Sequence, residues 1–348
     1  MSPNRRHAGA QPTLASVAER AGVSRQTVSN ALNNPELLRE DTLARVQAVI
    51  DEVGYTPNRA ARQLRTRSSH MIGLRFEPAQ EGTSNALMDR FVHTLVEATA
   101  KTGHHIVLFS GAPTDPLDGY DDLLRATADH AFVITDTYAG TPQADLLRRV
   151  GAPYVTFGRP WDDPSARHPW VDVSGASGAR QATEHLLEVG HRRVAWLGWE
   201  DTSRIGEDRR SGWQDAMEAA GISTEGLGVR ITDNVDAARM AAHDLLEDGT
   251  VTGFACASDT IGIGVLHALQ ERGLRPGADV GVVGFDDSQG AQVTWPGITS
   301  VRQPLEQVAI EIVDLLHTVL SLKPVLEPAR MLEPTLVVRR STARNEPL

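Results

Sequence analysis

Short apolar runs alternate with helix-length amphipathic segments along most of this chain, and that alternation constrains its fold more than any other feature. Each run has the length of a buried strand, and each segment between runs has the apolar spacing of a helix that packs on one face. Strand, helix and strand in repetition predict a doubly wound α/β fold with parallel sheets. The predicted strands are residues 71–74, 106–109, 131–134, 154–157, 194–197, 253–257 and 280–283, and the predicted helices are residues 84–102, 176–189, 209–220, 236–248, 260–272 and 304–320.

These elements extend over residues 70–348, a longer stretch than a single sheet comfortably organises. We therefore predict two α/β lobes with a cleft between them, an architecture similar to that of a periplasmic binding protein. Ligands of such folds bind at the carboxyl ends of the strands, and two facing lobes bring those ends opposite each other. The cleft is the predicted site for a small molecule.

Residues 1–57 follow a different, all-helical pattern. Short helices are predicted at residues 14–21, 25–33 and 41–53. Gly22 is expected to end the first in a left-handed conformation, and Ser24 to cap the second. The apolar residues that would form a small core are Leu14, Val17, Ala18, Ala21, Val23, Val28, Ala31 and Leu32. Two helices joined by a tight turn predict a helix-turn-helix headpiece.

Charge is divided unevenly between these two parts. The whole chain has a net charge of −11, which by itself argues against binding a polyanion. Residues 1–70, however, contain ten Arg against six Asp or Glu, a balance of +4, so the remainder carries −15. A basic head on an acidic body indicates a DNA-contacting module joined to a part with a different role.

Several segments resemble the LacI/GalR family of transcriptional regulators. Residues 13–33, which include TLASVA and SRQTVSNALN, and residues 55–61, YTPNRAA, are similar to the family's DNA-binding headpiece. Residues 282–287, VVGFDD, and 298–304, ITSVRQP, are similar to its effector domain. The resemblance implies a sequence-specific DNA-binding regulator, a repressor, whose affinity for operator DNA is controlled by a small ligand, a sugar or oligosaccharide. The alternative is a sugar-binding protein without a DNA role, which would not carry the headpiece.

The second helix of the headpiece carries the candidate DNA contacts. Arg25, Gln26 and Asn30 lie on one face and can form bidentate hydrogen bonds to guanine or adenine edges in the major groove. Short polar or phenolic donors surround that face and suit phosphate contacts: Thr13, Ser24, Thr27, Ser29, Asn33 and Tyr55. For any one of these residues the alternative is a solvated surface position, and for Thr13 and Ser29 this alternative is favoured.

The resemblance implies a hinge and linker over residues 58–69. In the family the corresponding segment folds on operator DNA and inserts a leucine into the minor groove, which here would be Leu64. Asn58, Arg59 and Ala61 would line the groove around it. Such an insertion kinks the duplex, and the free-energy cost of the kink is offset by the contacts that the bent DNA permits. The alternative is that Leu64 packs against the effector domain as a linker anchor.

Polar residues at strand ends of the body, residues 70–348, are the candidate effector ligands. Asp286 follows a predicted strand, and its carboxylate can accept hydrogen bonds from two sugar hydroxyl groups. Arg209 matches the family's ligand-gripping arginine, with a structural ion pair between Arg209 and Asp286 as the alternative. Ser258 stands where many relatives carry asparagine, and Gln303 lies at the predicted crossover between lobes. Trp161 is a candidate stacking platform, with burial in the core as the alternative.

The sequence argues against other classes of protein. It contains no Gly-x-Ser-x-Gly, His-Glu-x-x-His or phosphate-binding loop, so we expect no enzyme, no cofactor and no metal. Cys256 is the one cysteine and lies in an apolar setting, which predicts a buried thiol. No membrane-length apolar stretch or signal sequence is present, which predicts a cytoplasmic protein.

A homodimer is predicted from the mechanism. One headpiece reads only a few base pairs, and two copies on a palindromic operator supply the missing specificity. Residues 339–348 lack the leucine heptads of a tetramerising coiled coil. The sequence is compatible with a ligand that releases DNA binding and with one that promotes it.

Overall fold

The computed structural model describes residues 12–55, 71–76, 86–112, 114–126, 130–135, 137–138, 140–199 and 204–343. The chain divides into two compact units, Met1–Ser69 and His70–Leu348, which we call the headpiece unit and the body. The predicted hinge contacts Asn58, Arg59, Ala61 and Leu64 lie outside the described residues.

Among its described residues, the headpiece unit contains the three predicted α-helices: α1 (Leu14–Ala21), α2 (Arg25–Asn33) and α3 (Glu40–Val53). Thr13 caps α1, because its hydroxyl accepts the Ser16 N–H while the Ser16 hydroxyl accepts the Thr13 N–H. Gly22 ends α1 with φ 66°, a left-handed conformation that glycine adopts without strain. Ser24 then caps α2, and the tight turn between the helices is confirmed.

A single apolar cluster holds these three helices together. Val17, Val28 and Val46, one from each helix, are fully buried at its centre. The predicted inward residues all belong to it or pack against it, and Ile50 and Tyr55 complete it from α3 and the residues after it. The period of the apolar residues was therefore sufficient to predict this small core.

The first lobe of the body contains a six-stranded sheet in the order β11-β5-β4-β3-β1-β2. Its strands are β1 (Met71–Arg75), β2 (His105–Phe109), β3 (Ala131–Ile134), β4 (Tyr154–Phe157), β5 (Trp170–Val173) and β11 (Ala329–Leu332). Every pairing between these strands is parallel. The helices packed around it are α4 (Ala86–Ala100), α5 (Tyr120–Ala126), α6 (Pro142–Val150) and α12 (Leu305–Leu320).

The second lobe contains another six-stranded sheet, in the order β12-β10-β9-β8-β6-β7. Its strands are β6 (Val194–Trp199), β7 (Gly228–Ile231), β8 (Gly253–Cys256), β9 (Gly281–Phe285), β10 (Thr299–Arg302) and β12 (Thr335–Val337). The pairings are parallel except that β12 runs antiparallel to β10. Its helices are α7 (Gly175–Glu188), α8 (Arg204–Ala219), α9 (Val235–Leu245), α10 (Asp259–Glu271) and α11 (Gln289–Val293).

The chain crosses between the lobes after β5, after β10 and between β11 and β12. Two lobes with parallel sheets are thus confirmed, and Gln303 lies at a crossover as predicted. The sequence did not predict β5, β7, β10, β11 and β12, nor α5, α6 and α11. These strands lack a continuous apolar run, as in the sequences TSVR and GVRI, so periodicity did not separate them from loops.

Cys256 lies in β8 and is 3% exposed, which confirms the predicted buried thiol. Burial raises the pKa of its thiol, since an apolar environment disfavours the thiolate. Within the part of the chain that the structure describes, no helix combines the length and the apolar character needed to cross a bilayer.

Candidate functional site

One face of α2 presents the predicted base-contacting residues. Arg25 and Gln26 are exposed in its first turn, and Asn30 is half-buried one turn later. Gln26 Nε2 donates to Asn30 Oδ1 over 2.9 Å, so the two amides form one continuous polar edge. Amides in this arrangement can donate to and accept from a base pair at once, as adenine recognition requires.

The surrounding polar residues differ in their exposure. Ser24 is exposed, and its Oγ lies 2.9 Å from Thr27 Oγ1, while Thr13 is exposed at the start of α1. Ser29 and Tyr55, by contrast, are only 5% and 9% exposed. Asn33 occupies the last residue of α2. The headpiece unit therefore offers Thr13, Ser24 and Thr27 at its surface and uses Tyr55 as part of its core.

Arg209 is the centre of a second cluster, in the body. Its side chain extends from α8 and is buried, with Cζ 3.7 Å from the centroid of the Phe285 ring and 5.0 Å from that of Trp199. Nη1 donates to the Ala257 carbonyl oxygen over 2.6 Å, and Nη2 lies 3.4 Å from Asp286 Oδ1. Among the described residues, the buried Nε of Arg209 has no hydrogen-bond partner. The guanidinium is thus fixed but retains a donor.

Asp286 follows β9 directly and is held in place from several sides. Its φ of 98° is a conformation that non-glycine residues rarely adopt, and its N–H donates to the Val301 carbonyl oxygen over 2.7 Å. Gln303 Nε2 donates to Asp286 Oδ1 over 2.7 Å.

The next residue, Asp287, is 2% exposed and accepts from Arg302 Nε over 2.6 Å and from Arg339. These contacts over-determine the strained turn and so preorganise the Asp286 carboxylate.

Ser258 reaches the same cluster through another carboxylate. Its Oγ donates to Asp233 Oδ1 over 2.6 Å and accepts the Ile261 N–H, which caps α10. Burial is the main cause that raises the pKa of Asp233, and the charge of Asp286 adds to it. The bond from Ser258, the charge of Arg209 and the Trp199 indole N–H act in the opposite direction. Among the described residues, the buried Trp199 indole N–H has no hydrogen-bond partner.

A buried carboxyl lies behind the Asp286 turn. Asp259 begins α10 and is 3% exposed, and its two oxygens accept from Ser300 Oγ and from the Ser288 N–H, each over 2.6 Å. Burial above all, and then the charge of Asp286, raises its pKa to about 7. Asp259 therefore supports the turn from inside and titrates near neutral pH.

Trp161 lies in the first lobe, between β4 and β5. The Arg159 guanidinium covers its ring, with Cζ 4.3 Å from the centroid. The ring borders a cavity of about 40 Å³ together with Thr137, Thr156 and His168. The structure thus brings Arg209, Ser258, Asp286 and Gln303 together, while Trp161 lies in the first lobe beside Arg159.

Comparisons with known proteins agree with this architecture. Residues 13–58 match the bacterial regulatory proteins of the lacI family, and residues 183–342 match the periplasmic binding protein-like domain. The transcriptional regulator CelR of Thermobifida fusca is 34% identical over 341 residues, which are 95% of this chain and 98% of that protein. This chain belongs to the LacI family. It is a DNA-binding transcriptional regulator, and the alternative of a sugar-binding protein without a DNA role is not supported.

Solved structures of LacI-family proteins share the fold over nearly the whole chain. The CelR–cellobiose complex is 30% identical, has a TM-score of 0.72 and corresponds to 95% of this chain and 99% of that one. The lac repressor dimer bound to operator and an anti-inducer is 24% identical, with a TM-score of 0.77 over 96% of this chain and all of that one. The latter likeness concerns the fold alone.

In this LacI-family chain, sequence reasoning missed four residues around the cluster centred on Arg209. Asp233 follows β7, a strand that was not predicted, so no strand end marked it. Trp199 is the last residue of β6, and its position at a carboxyl strand end was a usable signal. Arg159 and Asp208 form a contact between the lobes, for which the sequence carries no periodic signal.

Proposed function

We propose that this regulator binds a palindromic operator as a homodimer, represses transcription from it, and responds to a neutral sugar or oligosaccharide bound in the cleft. The observation that carries the proposal is the cluster of Arg209, Asp286 and Gln303 at the carboxyl ends of the second sheet. We assign residues 1–57 to DNA binding, 58–69 to the hinge and linker, and 70–348 to effector binding and dimerisation.

The chemistry of the cluster suits a polyhydroxylated ligand. Both side-chain contacts described for Asp286 use Oδ1, which leaves Oδ2 to accept from a ligand hydroxyl group. The buried Nε of Arg209 can donate to a sugar oxygen, and the Trp199 and Phe285 rings supply apolar walls. Asp233 and Ser258 add a further acceptor and donor. Because a solved structure of a relative, CelR, is a complex with cellobiose, that disaccharide is the first probe.

Net charge favours a neutral ligand over an acid. Of the residues that the structure describes in the cluster, Arg209 is the one cation, and its charge acts on the carboxylates Asp286 and Asp233. An anionic ligand would add a charge of the same sign to these carboxylates in a partly desolvated site. Sugar hydroxyl groups can satisfy the same donors and acceptors without that repulsion.

The headpiece contacts are assigned from the sequence and, where the structure describes the side chain, from its exposure and geometry. We assign base recognition to Arg25, Gln26 and Asn30, and phosphate contacts to Thr13, Ser24, Thr27 and Asn33. The buried Ser29 and Tyr55 support α2 and the core, with the Tyr55 hydroxyl as a further phosphate donor. For the hinge, Leu64 would insert into the minor groove between Asn58, Arg59 and Ala61.

An apolar patch on the second lobe supports dimerisation. Val293, the last residue of α11, and Trp295, two residues later, are 73% and 74% exposed. Large apolar side chains at such exposure are typical of a surface that another chain covers. Analytical ultracentrifugation of the parent and of Trp295→Asp tests this assignment, and a monomeric parent would contradict it.

Selection from random DNA and thermal shift with sugars test the proposed function together. Fragments selected by the full chain are expected to contain inverted half-sites, and cellobiose or a related neutral sugar is expected to raise the melting temperature. Recovery of a single asymmetric half-site would contradict the dimeric operator. A melting temperature that rises with acidic sugars alone would contradict the proposed effector chemistry.

A further inference from the structure

Arg159 lies on the first lobe, just beyond the carboxyl end of β4. Gly158 precedes it with φ 118°, and a Cβ atom there would lie 2.1 Å from Thr137 Oγ1, so only glycine fits this turn. The Arg159 backbone N–H and its Nε both donate to Asp172 Oδ2, over 3.3 and 2.5 Å. Asp172 belongs to β5 of the same lobe. One end of the guanidinium is therefore fixed to the first sheet.

The other end of Arg159 reaches the second lobe. Nη1 and Nη2 lie 3.5 and 3.3 Å from the two carboxylate oxygens of Asp208, which belongs to α8. The two side chains are 24% and 16% exposed, so water screens their attraction only in part. These distances are at the long end of the hydrogen-bond range, in contrast to the short contact with Asp172. A small movement between the lobes is enough to tighten or break them.

Asp208 is adjacent in α8 to Arg209, the arginine proposed to bind the effector. Its Oδ2 accepts the Ala176 N–H over 3.0 Å at the start of α7. A Cβ atom on Gly175 would lie 2.8 Å from Asp208 Oδ2 and 3.0 Å from Arg209 Cγ. These groups are therefore packed too closely for an additional methyl group to fit between them. A displacement of Asp208 is therefore shared by Arg209.

The charges at this junction explain what Arg159 does. It stands between two carboxylates from opposite lobes, Asp172 and Asp208, whose side chains are 12% and 16% exposed. Without the guanidinium these carboxylates would repel each other across the cleft. We propose that Arg159 is a positioning residue that holds the first lobe against the helix carrying Arg209, and so couples sugar binding to the arrangement of the lobes. The coupling to sugar rests on the proposed function.

A measurement without ligand tests the positioning role. Spin labels are attached at Val150→Cys on the first lobe and Met240→Cys on the second, which are 53% and 62% exposed in the parent. The native Cys256 is 3% exposed and stays unlabelled. Labelled subunits are diluted with unlabelled protein so that one labelled copy is observed in each assembly. Arg159→Met is expected to lengthen or broaden the distance distribution, and an unchanged distribution would overturn the proposal.

The matched control is Arg180→Met. Arg180 pairs with Asp215 over 2.7 Å and joins α7 to α8 inside the second lobe, without reaching the first. Its distance distribution is expected to match that of the parent. If both variants broaden the distribution equally, the effect reflects a general loosening of α7 and α8, and the specific role of Arg159 is refuted.

Calorimetry with cellobiose tests the coupling. Arg159→Met and Asp208→Asn are each expected to weaken binding about 10- to 100-fold, and the double variant no further than either single variant, because all three break one bridge. Arg180→Met should stay within about twofold of the parent. Additive losses in the double variant would overturn the coupling. If the parent binds no neutral sugar, the proposed effector chemistry fails, and the spin-label distances still decide the role of Arg159.

Discussion

Gln303 donates through Nε2 to Asp286 Oδ1 over 2.7 Å, so a residue at a crossover between the lobes holds the carboxylate proposed to bind the effector. Gln303 is 5% exposed and stands between β10 in the second lobe and α12 in the first. The orientation of Asp286 is thereby tied to a segment that joins the two lobes. A ligand on Asp286 can thus influence both lobes without touching DNA.

Asp286→Ala should separate the two activities of the regulator. The variant is expected to bind operator with near-parental affinity and to lose the response to the sugar that shifts the parent, because it removes a proposed ligand contact that lies in the body. Fluorescence anisotropy of labelled operator, with and without sugar, measures both properties. Asp248→Ala, which removes an exposed carboxylate bonded to Thr250, is the control and should respond like the parent. A full response by Asp286→Ala would refute the assignment of the site.

Arg25→Ala and Thr27→Ala should affect DNA binding in different ways. Loss of a bidentate base contact at Arg25 is expected to cost about 1 to 3 kcal/mol at one position of the site and to relax the base preference there. Thr27 is assigned to phosphate, so its replacement should weaken all sequences about equally. Competition binding with single-base operator variants distinguishes these outcomes. Uniform weakening by both substitutions would show that the two roles were sorted incorrectly.

The buried carboxyl of Asp259 should make stability depend on pH. Its pKa rises from 3.8 to about 7 in the folded chain, so the folded state keeps a proton that the unfolded state has lost. Its contribution to the free energy of unfolding is fully present below the unfolded pKa and is lost as the pH rises through about 7. The parent should therefore lose stability relative to Asp259→Asn between about pH 4 and pH 7, with a constant difference above that range. Urea unfolding of both proteins at each pH measures this difference, and a difference that stays constant within that range would contradict the raised pKa.

Two buried helix glycines should respond oppositely to alanine. A Cβ atom on Gly212 would lie 2.0 Å from the Ala176 carbonyl oxygen, so Gly212→Ala forces α7 and α8 apart and should cost about 1 to 3 kcal/mol or more. At Gly262 the nearest atom would be 3.5 Å away, an ordinary contact. Gly262→Ala should therefore gain up to about 1 kcal/mol from helix propensity. Thermal unfolding measures both, and equal effects would mean that packing between α7 and α8 is less tight than these distances require.

The candidate site was predictable only where it touches regular elements. Asp286 and Arg209 were found because one follows an apolar strand and the other matches a family motif. For Trp161 the role of a stacking platform stays a prediction, and the structure adds the Arg159 guanidinium over its ring, a contact that the sequence context did not indicate. Asp233 was missed because β7 lacks the apolar run that marks a strand end.

By itself the sequence determined the helices of the headpiece unit, the alternating strands and helices of the body, and the division of the body into two lobes. These features depend on residues a few positions apart, whose spacing sets which face of an element is apolar. Only the tertiary structure decided the environment of Trp161, the support of Asp286 by Gln303, and the bridge from Arg159 to Asp208. The partners of that bridge are 49 residues apart, and their meeting depends on how two separately folded sheets are joined, which no local periodicity records.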